Sequence, residues 1–227
     1  WIRERMTVTG LRTAYELRGT SCIPLETTPP SRKSLVRSRS FGERLTEKEP
    51  IRQAVCKHAQ RAAEKLRAEE RVARGLQVVL TTKRFGPPPH YANGVGATLP
   101  HHTAHTSTLV RAAATLLDRI YRAEIDGEPV RYKKAGVMAY DLRPRVPEQG
   151  ALFGGEDAAD DALMAAVDQI NREMGRGTIG VAAAGLRGQR AWSMKRERKS
   201  PRYTTQWDEL PVARASKPRA GNGPEAD

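Results

Sequence analysis

Leu35-Val36-Arg37-Ser38-Arg39-Ser40-Phe41 opens the part of the chain whose reading decides the fold. Its alternation predicts an extended strand with Leu35, Arg37, Arg39 and Phe41 on one face and Val36, Ser38 and Ser40 on the other. A helical period follows. Pro50 suits a first helical turn, and Ile51, Ala54, Val55, Ala59, Ala62, Ala63 and Leu66 make one apolar stripe with Lys and Arg opposite. Leu76 to Thr82 reads as a second strand, and Val95 to Leu99, after the breaker Pro87-Pro88-Pro89, as a third. Asn93-Gly94 and Gly96 read as turn residues. A helix from about Thr108 would bury Leu109, Ala112, Ala113, Leu116, Leu117 and Ile120, and Ala135 to Leu142 closes the set as a strand.

The order β-α-β-β-α-β predicts an α+β fold of the split kind, a four-stranded sheet with two helices on one face and the other face open. If Val36, Ser38 and Ser40 turn toward the helices, Arg37 and Arg39 project from the open face, where Lys83, Arg84, Lys133 and Lys134 join them. Such a surface suits phosphates, which position a duplex without reporting its sequence.

Charge supports that reading. Over 227 residues the chain carries 39 Lys+Arg and a formal net charge of +13, which calls for a polyanion, either nucleic acid or an anionic membrane surface. No apolar run approaches the roughly 20 residues needed to cross a bilayer, and no signal-peptide pattern opens the chain, so nucleic acid leads. Ser31 to Arg145 holds 23 Lys+Arg against 11 Asp+Glu, a balance of +12. Glu148 to Val181 holds two Arg against seven acidic residues, a balance of −5. Cys22 and Cys56, only two and in dissimilar contexts, read as reduced cytosolic thiols.

Between the basic and the acidic stretch sits Gln149-Gly-Ala-Leu152-Phe153, preceded by Pro144 and Pro147 and followed by Gly154-Gly155. Proline and paired glycines disfavour continuous helix or sheet there, so the Leu-Phe pair is expected in an extended, exposed linker and needs a partner.

Five motifs carry a family resemblance. Ser38-Arg39-Ser40-Phe41-Gly42-Glu43-Arg44, Arg61-Ala-Ala-Glu64-Lys65-Leu66-Arg67 and Tyr132-Lys133-Lys134-Ala135-Gly136-Val137-Met138 resemble the little-finger domain of the Y-family translesion DNA polymerases, the UmuC-like branch most closely. Gly175-Arg-Gly-Thr178 and Met194-Lys-Arg-Glu197 to Ser200-Pro-Arg-Tyr203-Thr-Thr205 resemble the small tail domain that follows the little finger in that branch. The resemblance implies five parts. These are a thumb remnant and tether over 1–30, a little finger over 31–145, a linker with a clamp-binding motif over 146–156, a small α/β tail domain over 157–212 and a disordered tail over 213–227.

It also implies roles. Arg37, Arg39, Ser40, Lys83, Arg84, Lys133 and Lys134 would bind primer-template DNA, and Gln149, Leu152 and Phe153 would bind the sliding clamp. The family motif usually has leucine second and a polar or acidic residue third, and Gly150 and Ala151 depart from both. The tail would meet a UmuD-like dimer and the RecA filament, the setting would be the bacterial cytoplasm, and no membrane is involved. In the family, magnesium and its carboxylates belong to a palm domain upstream, so no catalytic residue, cofactor or metal is expected in this stretch. The chain opens at Trp1 within helical sequence and reads as a fragment of a longer, error-prone polymerase of SOS repair and mutagenesis. The rival reading is a free-standing, non-catalytic DNA-binding and clamp-associated protein.

Other chemistry is weaker. Asp157, Asp160 and Asp161 precede the amphipathic run Leu163, Val167, Ile170 and Met174 and read as helix N-terminal charge. His90, His101, His102 and His105 have no nearby cysteine to complete a zinc site. Trp192 and Trp207 are expected in the core of the tail rather than stacked on bases.

Overall fold

The computed structural model describes residues 1–27, 31–145, 158–185, 192–194 and 199–212. The expected clamp motif Gln149, Leu152 and Phe153, the linker around it and the tail 213–227 lie outside the described residues. Helix α1 (Ile2–Leu17) comes first and buries no side chain; Thr7 breaks its helical geometry with φ 63°. The sheet domain follows as β1 (Ser34–Leu45), α2 (Lys48–Ala68), β2 (Arg71–Thr82), β3 (Ala92–Thr103), α3 (Thr106–Ile120) and β6 (Tyr132–Pro144). A two-residue hairpin, β4 (Glu124–Ile125) with β5 (Glu128–Pro129), turns through Asp126 and Gly127, both at positive φ.

The four long strands lie in the order β1-β6-β2-β3, each neighbour antiparallel. Strand β6 therefore separates β1 from β2, and β2 separates β3 from β6. Each β-α-β unit is split by a strand of the other, the arrangement predicted from the sequence. The expected stripe of α2 is wholly buried, and α3 buries Leu109, Ala113, Leu116, Leu117 and Ile120. On the sheet, Leu35, Phe41, Leu76, Val78, Leu80, Leu99, Ala135, Val137 and Ala139 join them in one core.

The sidedness of β1 is the reverse of the expectation. Leu35 and Phe41 are 3% and 1% exposed, whereas Val36 is 58% exposed. Two large apolar side chains at the ends of the run fix which face points inward, and the period of two carries Arg37 and Arg39 to the helix side with them. The register agrees: Arg37 lies opposite Val137 and Arg39 opposite Ala135, both buried. Because β1 is an edge strand, the long Arg stems run out past α2, leaving Arg39 exposed and Arg37 half-buried.

Glycines expected in turns are instead strand residues. Gly94 and Gly96 sit within β3, opposite Val79 and Gln77. They face away from the helices together with Gly75 and Gly136, and neighbouring side chains lie over them, Ser38 against Gly136 and Tyr140 beside Gly96. The ring of Tyr140 lies across Gly75, where an added Cβ would fall 2.1 Å from the ring.

The tail residues plate the outer side of α2. Gly177 lies near Arg61 and Lys57, Gly180 near Gln60 and Gly185 near Gln53, so the segment descends α2 turn by turn. It ends at β1, where the Gly42 N–H donates to the Ser193 carbonyl at 3.1 Å. Helix α4 (Ala158–Glu173) is fastened by Arg67, whose guanidinium donates to both carboxylate oxygens of Asp168 at 2.6 and 2.8 Å and to the Ala104 carbonyl at 2.7 Å. Trp192 is 7% exposed and joins the core of the sheet domain, not a separate core of the tail. Trp207 does not: it is 88% exposed, on a short 3-10 turn held by ion pairing of Arg202 with Glu209. Only three residues form that turn, too few to build an apolar layer over an indole.

Candidate nucleic-acid interface

Tyr132 organises one end of the sheet. Its ring, fully buried, meets the half-buried Tyr91 edge-on at 5.9 Å and stacks on the half-buried Tyr121 at 5.8 Å, under the start of β6. The phenol accepts from the Arg122 N–H at 2.9 Å and donates to the Arg122 carbonyl at 3.1 Å, and burial pushes its pKa up to about 12. Tyr121 donates to the Thr46 carbonyl at 2.7 Å, tying the cluster to the loop after β1.

Accommodating that ring costs the ladder its regularity. Registers shift between Ser40 and Leu45 on one side of β6 and between Thr81 and Thr82 on the other. Such a bulge re-aims the side chains beside it. Lys133 turns back on β1, its ammonium donating to the Phe41 carbonyl at 2.5 Å and the Gly42 carbonyl at 3.3 Å. Lys134 turns outward, exposed, in register with Ser40 of β1 and Thr81 of β2.

The same end of the sheet holds Lys83 and Arg84, both exposed, directly after β2. Of the seven residues expected to bind DNA, Ser40, Lys83, Arg84 and Lys134 are thus gathered at one end of the sheet. Lys133 is beside them but is engaged with carbonyls of its own fold. Arg37 and Arg39 lie on the opposite side of β1.

There they meet His58 of α2. His58 is 8% exposed, its Nε2 and the Nε of Arg37 are buried without a hydrogen-bond partner, and burial, reinforced by the charges of Arg39 and Arg37, lowers its pKa to about 4. The imidazole is therefore neutral in the folded protein at pH 7.

The open face away from Arg37 and Arg39 was not singled out from sequence as such. It carries Val36, Ser38 and Ser40 of β1, Lys134 and Met138 of β6, and Gln77, Val79 and Thr81 of β2. Its signal is the spacing of two glycines, Gly94 and Gly96, at the strand period of two. The serine and threonine hydroxyls and the cations at its rim are the groups on this face that suit a sugar-phosphate backbone. No described helix is long and apolar enough to cross a membrane.

Residues 32–152 match the impB/mucB/samB family C-terminal domain. The chain belongs to the impB/mucB/samB family. Residues 161–213 match a second family model, a domain of unknown function numbered 4113. Among curated relatives, protein SamB of Salmonella typhimurium is 42% identical over 94% of this chain and 49% of its own length. Protein UmuC of the same species is 41% identical over 92% of this chain and 49% of its own. Protein MucB of Escherichia coli is 38% identical over 93% and 49%. The chain therefore spans about half the length of the family members it matches. A solved Y-family DNA polymerase chimera is similar over 60% of this chain and 36% of its own at 13% identity and a TM-score of 0.38, too loose a likeness to argue from.

The lowered His58 pKa has a measurable consequence. Between its unfolded value of 6.5 and about 4 the unfolded chain binds a proton that the folded chain refuses, so stability is present above pH 6.5 and is lost as pH falls toward 4. In urea unfolding at pH 7 and pH 4.5, His58→Gln is expected to shrink the acid-induced loss of stability by up to about 3 kcal/mol relative to the parent chain. An identical loss in both proteins would assign the acid sensitivity elsewhere.

Proposed function

We propose that this chain is the DNA-gripping and clamp-binding C-terminal part of an error-prone translesion DNA polymerase acting in SOS repair and mutagenesis. The observation that carries the reading is the gathering of Ser40, Lys83, Arg84 and Lys134 at one end of the sheet. Membership of the impB/mucB/samB family supports it. Cations on that rim neutralise phosphates, while serine and threonine hydroxyls donate to phosphate oxygens. Contacts of this kind hold primer-template DNA in register without inspecting base edges, which suits a polymerase that must keep hold of damaged template. Magnesium, bound in a palm domain upstream, would supply the bond chemistry in the whole protein.

Gln149, Leu152 and Phe153 are the proposed mooring to the sliding clamp. The glutamine amide would hydrogen-bond in a small pocket while Leu and Phe fill an apolar groove, each worth about 1.5–3 kcal/mol on burial. The tail that plates α2 is the proposed contact for a UmuD-like dimer and the RecA filament, in the cytoplasm of a bacterium.

Duplex binding should weaken steeply with salt. Lys134→Ala is expected to reduce the slope of log affinity against log salt by about 1, because one phosphate contact is lost. Lys133→Ala is expected to change it less, its ammonium being engaged with Phe41 and Gly42. An unchanged slope for Lys134→Ala removes that residue from the interface. Phe153→Ala is expected to abolish clamp binding in calorimetry and to leave primer-template affinity as it was; an unaltered clamp affinity would discard the mooring.

A further inference from the structure

Among the described residues of the sheet domain, two large apolar side chains stand in solvent: Val36 at 58% and Phe85 at 85%. Val36 is part of the open face, opposite Met138. Phe85 belongs to no face of the sheet. It sits in the loop between β2 and β3, four residues beyond Thr81, the register partner of Lys134.

We infer that Phe85 is a stacking platform for an unpaired nucleobase, on the single-stranded stretch adjoining the duplex held by the sheet, an inference that rests on the DNA-gripping reading above. Gly86 and then Pro87, Pro88 and Pro89 follow the phenyl ring, and three consecutive prolines fix φ and limit the ways the loop can fold back on the core. The loop thus presents the ring instead of burying it, although Tyr91 and the aromatic cluster under β6 lie a few residues away. Its immediate neighbours are cationic: Lys83 is exposed, and the Arg84 guanidinium lies 5.6 Å from the ring centroid.

An aromatic ring flanked by cations discriminates among partners. A paired duplex hides its base faces, and an apolar protein groove disfavours two unpaired charges at its centre. An unpaired base offers a π-face to the ring, and its own phosphates take up Lys83 and Arg84. The location supports the same ligand, since Lys83 and Arg84 share one end of the sheet with Lys134 and Ser40. Phe85 is the first aromatic residue of the chain after Thr81.

The test uses the whole chain and three DNAs: a blunt duplex, the same duplex with a single-stranded 5′ overhang, and that overhang made abasic. The parent chain is expected to bind the overhang DNA more tightly than the blunt or abasic forms. Phe85→Ala should erase that preference, weakening overhang binding about fivefold or more, the lower end of base-aromatic stacking, with blunt affinity unchanged. Phe85→Trp should keep it. Equal affinities of Phe85→Ala and parent for all three DNAs, or an equal loss on all three, would overturn the inference. So would a Phe85→Ala variant that loses affinity for the clamp protein and not for the overhang. Failure of the parent chain to bind the blunt duplex in a salt-dependent way would instead overturn the DNA-gripping reading on which it rests.

Discussion

A phenol that must be buried at the start of β6 determines what the sheet presents to solvent. Tyr132 is held by two other tyrosines and by both backbone groups of Arg122, and the ladder gives way around it. Of the two lysines that follow, one is consumed by the carbonyls of β1 and the other is delivered to the open face. Two adjacent lysines thus have different fates for a reason that lies in the core. Replacing Tyr132 by a small residue would alter the interface without touching a charged side chain.

The second constraint is the burial of α2 on both sides. The sheet covers one face, and the tail, with α4, covers much of the other through Gln53, Gln60 and Arg61 and through the Arg67–Asp168 pair. Gly185, at φ 75°, lies so close to Gln53 that a Cβ would fall 2.7 Å from its Oε1. The two domain matches therefore correspond to parts that share a helix. Several cations of α2 are engaged in ion pairs, Lys48 with Asp118, Arg61 with Glu64, Lys65 with Glu69 and Arg67 with Asp168 of α4.

The elements were legible in the sequence wherever one strong period ran long enough. The stripe from Ile51 to Leu66 marks α2 and most of its buried face, though not Cys56, His58 or Gln60, and the run from Leu109 to Ile120 marks α3. Orientation was less legible. In Leu35 to Phe41 the period of two is unambiguous, but it alternates Arg with Ser in its middle. Assigning the arginines to the open face weighed their charge above the burial of Leu35 and Phe41, and packing decided otherwise. Glycine punctuates loops, which makes Gly94 and Gly96 resemble turn residues, yet a strand uses the same residue where a neighbouring side chain passes close to the backbone, as Tyr140 does beside Gly96. Trp207 was assigned to a core that a three-residue turn cannot provide. The bulge at Tyr132 had no local signal, since it depends on Tyr91 and Tyr121 from other elements.

The central claim is that nucleic acid lies over the open face at the end marked by Lys134. Hydrogen exchange of the chain with and without primer-template DNA tests it most directly. Slowed exchange confined to Ser38–Gly42, Thr81–Arg84 and Lys134–Gly136 is the predicted result. Protection confined to α2, α3 and the tail, with those strand ends unaffected, would contradict it.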